Sequence, residues 1–323
     1  LNIHYLYIDD KLSAGIEIEE TIAPLKRMEA VKNMTKSFEN VKKAKRDQAS
    51  YVLDQQSKVI GLIVDDIMNA IVNSEEVLMV LTDAYLYDKY IYQHSFQVAL
   101  YSIAIAKEMG YSYEDIRLIG IGAILHDVGK LLISPDILLK PGNLTDEEYE
   151  EMKNHARYGF DLLRNLHSVS LLVAHCAFQH HERIDGSGYP RGIINNEIHP
   201  FAKIIAVADV FDALTSNRIY RKKMLPSEAI AIIDKGDGKL FDAKVMEAFR
   251  RSVVHYANGT IVLLTDGRRG IVSKQNLVDV TRPWIRIFQE NGKMLGATYE
   301  LCLSDYPTVD IKKVDVDFEG NIE

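Results

Sequence analysis

Thiols are scarce in this 323-residue chain, which has two cysteines, Cys176 and Cys302. Two are too few for a disulfide framework and fit a reducing compartment. Long apolar runs are missing as well. The stretch 59–72 is broken by Asp65 and Asp66, and no run approaches the roughly 20 residues of a membrane-spanning helix. Positive charge is in deficit: 38 Lys and Arg face 46 Asp and Glu, a formal −8. That balance argues against a protein that coats long nucleic acid, though it leaves room for a local cationic pocket. The N-terminus, LNIHYLYIDDK, has none of the basic, apolar and small-residue zones of a signal peptide. It opens on Leu1 rather than Met, as a fragment or a processed product does. What remains is a globular composition, 47 % apolar and 26 % charged. An acidic cytoplasmic protein of two or three domains, or of one domain with appendages, is expected from these features.

Three zones follow one another. In residues 1–85, a short strand-like piece (4–8) precedes a charged stretch. There Leu25, Met28, Val31, Met34, Phe38 and Val41 recur every three or four residues, one apolar stripe on a helix. A second helical stretch covers 52–73. Such a pair serves either as a plain structural hairpin or as a dimerisation arm or linker. From about 88 to 252 helical patterning prevails, over 94–108, 113–127, 145–166, 168–179, 201–215 and 226–234. Thr145 followed by Glu148 is a capping box, so a helix should start at Asp146. Two breaker-rich loops, 134–143 and 185–200, interrupt the helices. From 255 onward the pattern turns to short β-like runs at 260–265, 270–274, 284–289 and 310–314. Asp266-Gly267 and Asn291-Gly292 are hairpin signals there.

Eight of the ten histidines lie in the middle zone. His94, His126, His155, His180 and His181, with Asp127 and Asp209, offer imidazole and carboxylate without thiolate. That donor set suits first-row divalent ions such as Fe or Mn, with Zn less favoured. Seven ligands are too many for one ion and suit two ions that share a carboxylate, for which Asp127 beside His126 is well placed. Any one of these histidines alone would more readily be a satisfied core residue.

The segments HDVGK (126–130), HHERIDGSGYP (180–190) and ADVFDALTSNRIYR (208–221), with His94 and His155, resemble the HD-GYP domain of the HD phosphohydrolase superfamily. The resemblance runs from about Asp88 to Phe249. It implies an all-helical HD-type bundle over 86–254; with the patterning on either side, the expected fold is mainly α, with a helical N-terminal extension or linker over 1–85 and a small β-rich appendage over 255–323. The resemblance further implies a bacterial cyclic di-GMP phosphodiesterase, whose product is the linear dinucleotide, GMP or both. Residue by residue, His94, His126, Asp127 and Asp209 would bind a first metal. Asp127, His155, His180 and His181 would bind a second, with Asp127 bridging. Some members carry a Glu four residues before the first His, which supports a third ion; Tyr90 stands there, so a two-metal site is expected. Lys130 would meet the phosphate or the attacking hydroxide. Asp185, Gly188, Tyr189 and Pro190 belong to the loop that names the family, and Arg218 and Arg221 match positions that grip phosphate.

The chemistry agrees with these roles. Two divalent ions outweigh the charges of Asp127 and Asp209, as an anionic diester requires, and lower the pKa of a bound water. Added cations neutralise the oxygens of the transition state. Tyr189 offers a ring to stack on a guanine. Two other readings stay open: another cyclic dinucleotide or nucleotide on the same centre, and a non-catalytic signalling scaffold. A GGDEF-type partner at the loop and a homodimer are further expectations. His4, His167, His175, His199 and His255 match no ligand position, and Cys176 reads as a buried apolar residue.

Overall fold

The computed structural model describes residues 12–16, 22–72, 90–216 and 224–314. The strand expected at 4–8, and Arg218 and Arg221, lie outside the described residues, as does the Tyr90 side chain. Two compact units emerge, one from 22–72 with 90–252, the other from 12–16 with 253–314.

The first unit is helical. It comprises α1 (Pro24–Lys43), α2 (Ala49–Ile71), α3 (Tyr90–Glu108), α4 (Tyr113–Leu125), α5 (Pro135–Leu138), α6 (Asp146–Leu163), α7 (Leu171–Gln179), α8 (Pro200–Thr215), α9 (Pro226–Ile233) and α10 (Ala243–Ser252). The core helix α3 packs on α4, α8 and α10, while α7 lies against α4, α6 and α8. Tyr101, Phe211 and Phe249 meet edge to face at 5.1 Å where α3, α8 and α10 converge, a preferred geometry for aromatic pairs. Along α1 the stripe is buried from Val31 through Met34, Phe38 and Val41, whereas Leu25 and Met28 stay exposed. Those four residues cover α2 and the start of α3, where Phe38 stacks on Tyr92.

Helix ends follow local chemistry. Ser112 caps α4, Thr145 and Glu148 close the expected capping box on α6, and Ser170 caps α7. Each side-chain oxygen accepts an otherwise unpaired N–H of the first turn. The helix expected over 113–127 stops at Leu125, so His126 is its C-cap and Asp127 leaves helical geometry. No described helix is long and apolar enough to cross a membrane.

The second unit is an antiparallel sheet of β1 (Ile261–Leu264), β2 (Arg269–Lys274), β3 (Trp284–Glu290), β4 (Lys293–Cys302) and β5 (Ile311–Val314), in the order β4-β3-β2-β1-β5. Val262, Leu264, Val272, Ile285, Ile287 and Leu301 form its core. Strand β4 is not foreseen by the sequence pattern. It is an edge strand exposed along most of its length, so nothing imposes the apolar–polar alternation that marks a strand buried on one face. The Asn291-Gly292 signal is borne out, with both residues at positive φ between β3 and β4.

Candidate metal centre

Three helices and the turns that end two others bring the seven predicted residues together. His94 comes from α3, His155 from α6 and Asp209 from α8, while His126 and His180 are the C-caps of α4 and α7. Asp127 and His181 follow those caps directly. Two helix C-termini, each bearing partial negative charge, thus face the centre and favour a cation there.

The donor atoms fall into two groups that share one residue. His94, His126 and Asp127 form one; Asp127, His155, His180 and His181 form the other, with donor atoms within 4.8 Å of one another in each. Asp209 joins them through one oxygen 3.1 Å from His94 Nε2 and another 3.9 Å from His181 Nδ1.

The imidazoles are oriented by their own helices. His126 Nδ1 meets the carbonyl of Ala123 at 2.6 Å, His155 Nδ1 that of Met152 at 2.7 Å, and His180 Nδ1 that of Ala177 at 2.9 Å. A carbonyl can only accept, so each Nδ1 carries the proton and each Nε2 turns a lone pair inward. Two such lone pairs, on His155 and His180, face each other at 3.3 Å. His126 Nε2 and Asp127 Oδ1 are buried with no hydrogen-bond partner. Burying acceptors in this way is costly unless a cation draws on them. The residues therefore fit divalent metal binding.

Electrostatics point the same way. Burial alone would neutralise Asp127, but Lys130, His126 and His155 hold its carboxyl well below the usual range. Asp209 is likewise buried, and His94 and His181 keep it ionised. Burial holds His155 down at about 4 and His180 at about 3, and with His180 it pushes His181 well below the ordinary imidazole value. Those rings are ready to ligate as neutral bases. His94 behaves differently: burial opposes its charge, yet Asp209 and Asp212 outweigh it and raise the group to about 9. Asp212 Oδ2 sits 2.7 Å from His94 Nδ1 and is fully buried, so it fixes which nitrogen of His94 turns inward.

Two close approaches build the site. A Cβ on Gly129 would stand 2.0 Å from the His155 carbonyl oxygen, so only glycine lets the 126–130 turn lie on α6. A Cβ on Gly188 would meet backbone atoms of residues 181–183 at about 2.5 Å. The loop folds back there, and Tyr189 N–H donates to the His181 carbonyl. The Tyr189 ring stacks on His181 at 4.6 Å, and burial raises its hydroxyl pKa. Buried Glu182 accepts the N–H groups of Arg191 at 2.8 Å and Ile193 at 3.1 Å, pinning the far side of the loop.

Of the other predicted contacts, Lys130 donates to Asp127 Oδ2 at 2.5 Å and stays partly exposed. Asp185 is exposed and engaged with the N–H and hydroxyl of Ser187, apart from the histidine cluster. Pro190 follows Tyr189 at the exposed lip. His199 caps α8 and His175 packs on Phe160, as residues outside the site. Sequence reasoning missed Arg183, whose guanidinium lies 4.8 Å over the Phe241 ring with Nη1 buried and unpaired. It also passed over Tyr149 and Lys153 on α6. Nothing in their local pattern marks them, because Tyr189 reaches them only through the fold of a distant loop.

The profile of the HD domain family matches residues 71–245. Over 70 % of its length the chain is 36 % identical to a Pseudomonas aeruginosa protein named as a cyclic di-GMP phosphodiesterase, of which it covers 54 %. It is 38 % identical, over 50 % of its length, to a Vibrio cholerae protein named as a 3'3'-cGAMP-specific phosphodiesterase, of which it covers 35 %. The chain thus spans about a third to a half of these relatives. An HDG"Y"P protein from Bdellovibrio bacteriovorus shares the fold at a TM-score of 0.50 and 21 % identity, over 70 % of this chain and 69 % of that one. With the His126-Asp127 pair common to both donor groups and the 180–190 segment folded back beside it, the chain belongs to the HD domain family, in its HD-GYP branch.

Proposed function

We propose that this chain hydrolyses cyclic di-GMP, to the linear dinucleotide, GMP or both, with two divalent ions of iron or manganese. The reading is carried by the place of Asp127 in both donor groups, beside imidazole nitrogens that face one another with no proton between them. His94, His126, Asp127 and Asp209 would hold one ion; Asp127, His155, His180 and His181 would hold the other. Once bound, the ions supply an acidified water as nucleophile and neutralise phosphoryl oxygens.

The chain's own groups do the rest. Backbone carbonyls of Ala123, Met152 and Ala177 keep protons on Nδ1, so that each Nε2 remains a base. Lys130 Nζ, held by Asp127, sets a fixed positive charge where an equatorial phosphate oxygen would develop charge. Arg218 and Arg221 are assigned to the same task on the outer phosphate. Tyr189, with Gly188 and Pro190 around it, covers His181 and keeps water from that side, while Asp185 holds the loop through its turn onto Ser187.

Metal quantification with product analysis tests the reading. Protein loaded with Fe or Mn should hold two ions per chain and linearise cyclic di-GMP. The double change His126→Ala with Asp127→Ala should abolish turnover and leave the helical signal in place. Turnover that survives it sinks the mechanism. The Vibrio cholerae relative favours a second reading, a mixed guanine–adenine cyclic dinucleotide. Relative kcat/KM across a substrate panel separates the two.

A further inference from the structure

We propose that Tyr149 and Lys153 of α6 form a purine subsite at the rim of the metal centre, in which Lys153 favours guanine over adenine. The inference rests on the phosphodiesterase reading and concerns the part of the substrate beyond the phosphate.

Tyr149 and Lys153 stand one helical turn apart, and the Lys153 ammonium lies 4.9 Å from the centre of the Tyr149 ring. An i,i+4 pair of this kind is ordinary helix packing by itself. The third partner changes its meaning. Tyr189 arrives from the 180–190 loop, and the same ammonium lies 5.7 Å from its ring. Tyr189 in turn stacks on His181 and stands 6.3 Å from the His155 ring, both in the donor cluster. One cation therefore sits between a ring tied to the centre and a ring that is 48 % exposed.

Lys153 is also free to serve a ligand. It pairs with Glu150 at 2.6 Å, an i,i+3 neighbour whose side chain is 68 % exposed. Exposed pairs of that kind are weak and exchange readily. Tyr149 is an aromatic ring that is half exposed, and stacking on such a ring is tolerant of base identity. Discrimination then falls to the ammonium, which can only donate. Guanine presents two adjacent acceptors, O6 and N7, on one edge; adenine presents N7 beside an amino donor. The ammonium meets complementary atoms on the first and a like-signed dipole on the second. The metal centre reads the phosphate, and this rim reads the base one sugar away.

The test uses the metal-loaded full chain and three diesters: cyclic di-GMP, cyclic di-AMP and bis(p-nitrophenyl) phosphate, which has no purine. Lys153→Met should lower the ratio of kcat/KM for cyclic di-GMP to that for cyclic di-AMP about tenfold, mainly through KM. Lys153→Arg should restore part of the ratio. Tyr149→Ala should raise KM for both dinucleotides about fivefold or more relative to the purine-free diester. Unchanged ratios in Lys153→Met, or equal losses on all three substrates, overturn the subsite. Equilibrium affinity for the two dinucleotides is measured in parallel. If the unaltered chain binds them without turnover, the phosphodiesterase reading fails, and the Lys153→Met affinity ratio still decides the subsite. If it binds neither, both readings fall.

Discussion

At the residue scale, orientation matters as much as identity. His126, His155 and His180 each donate Nδ1–H to the carbonyl three residues earlier, leaving their inward nitrogens as lone pairs. His94 has a carboxylate instead, Asp212. Asp212→Asn keeps the shape and loses the charge that makes His94 a stronger base. Metal affinity should fall about 10- to 100-fold, read by metal titration; an unaltered affinity would show that α3 alone orients His94. Gly129→Ala puts a methyl group where the His155 carbonyl stands. Overpacking of this kind costs about 1–3 kcal/mol, visible as a lowered urea midpoint together with weakened metal binding. The ligand types were legible in the sequence because imidazole and carboxylate recur with HDVGK and HHERIDGSGYP. The proton positions were not, since they depend on which carbonyl each ring meets after packing.

At the element scale, local signals held where local chemistry decides. The Thr145–Glu148 box opens α6 as expected because its hydrogen bonds close within one turn. Strand β4 escaped notice because an exposed edge carries no alternation. The first part of the α1 stripe also departs from the pattern: Leu25 and Met28 repeat correctly yet remain exposed, since periodicity tells which face is apolar and not how far a neighbouring helix reaches. Asp242 supplies a prediction here. Its carboxylate accepts the Lys244 N–H at the start of α10 at 3.0 Å and pairs with Lys203 at 3.0 Å. Burial would raise its pKa, but Lys203 and the backbone bonds outweigh that and lower it below 3.8. Its contribution is thus present above about pH 4 and fades as pH falls through the depressed folded value. Asp242→Ala should cost about 1 kcal/mol at neutral pH. Denaturation midpoints of the two proteins should converge on acidification; a constant gap from pH 7 to pH 2 would refute the assignment.

At the scale of the whole molecule, the donor residues all belong to the helical unit, and the sheet unit carries none of them. Ile287 is fully buried in the sheet core, so Ile287→Ala should cost that unit about 2–5 kcal/mol. Metal content per chain should stay at its unaltered value; a joint loss would mean that the centre depends on the sheet. Chelation should act on the helical unit. A ligand at a thousandfold excess over its Kd stabilises the folded state by about 4 kcal/mol. EDTA should therefore lower the melting temperature, and added Mn or Fe should restore it.

The chain by itself determined the chemistry on offer: nitrogen and oxygen donors without thiolate, a cation after the HD pair, breaker loops beside the histidines, and helices followed by short strands. Those features are local, written in residue type and spacing. Only the tertiary structure decided that Asp127 is the vertex of two donor groups, that Asp212 stands behind His94, and that Tyr189 crosses to Tyr149 and Lys153. Each of those depends on side chains from separate elements, whose directions are set by how the helices pack and not by their order along the chain.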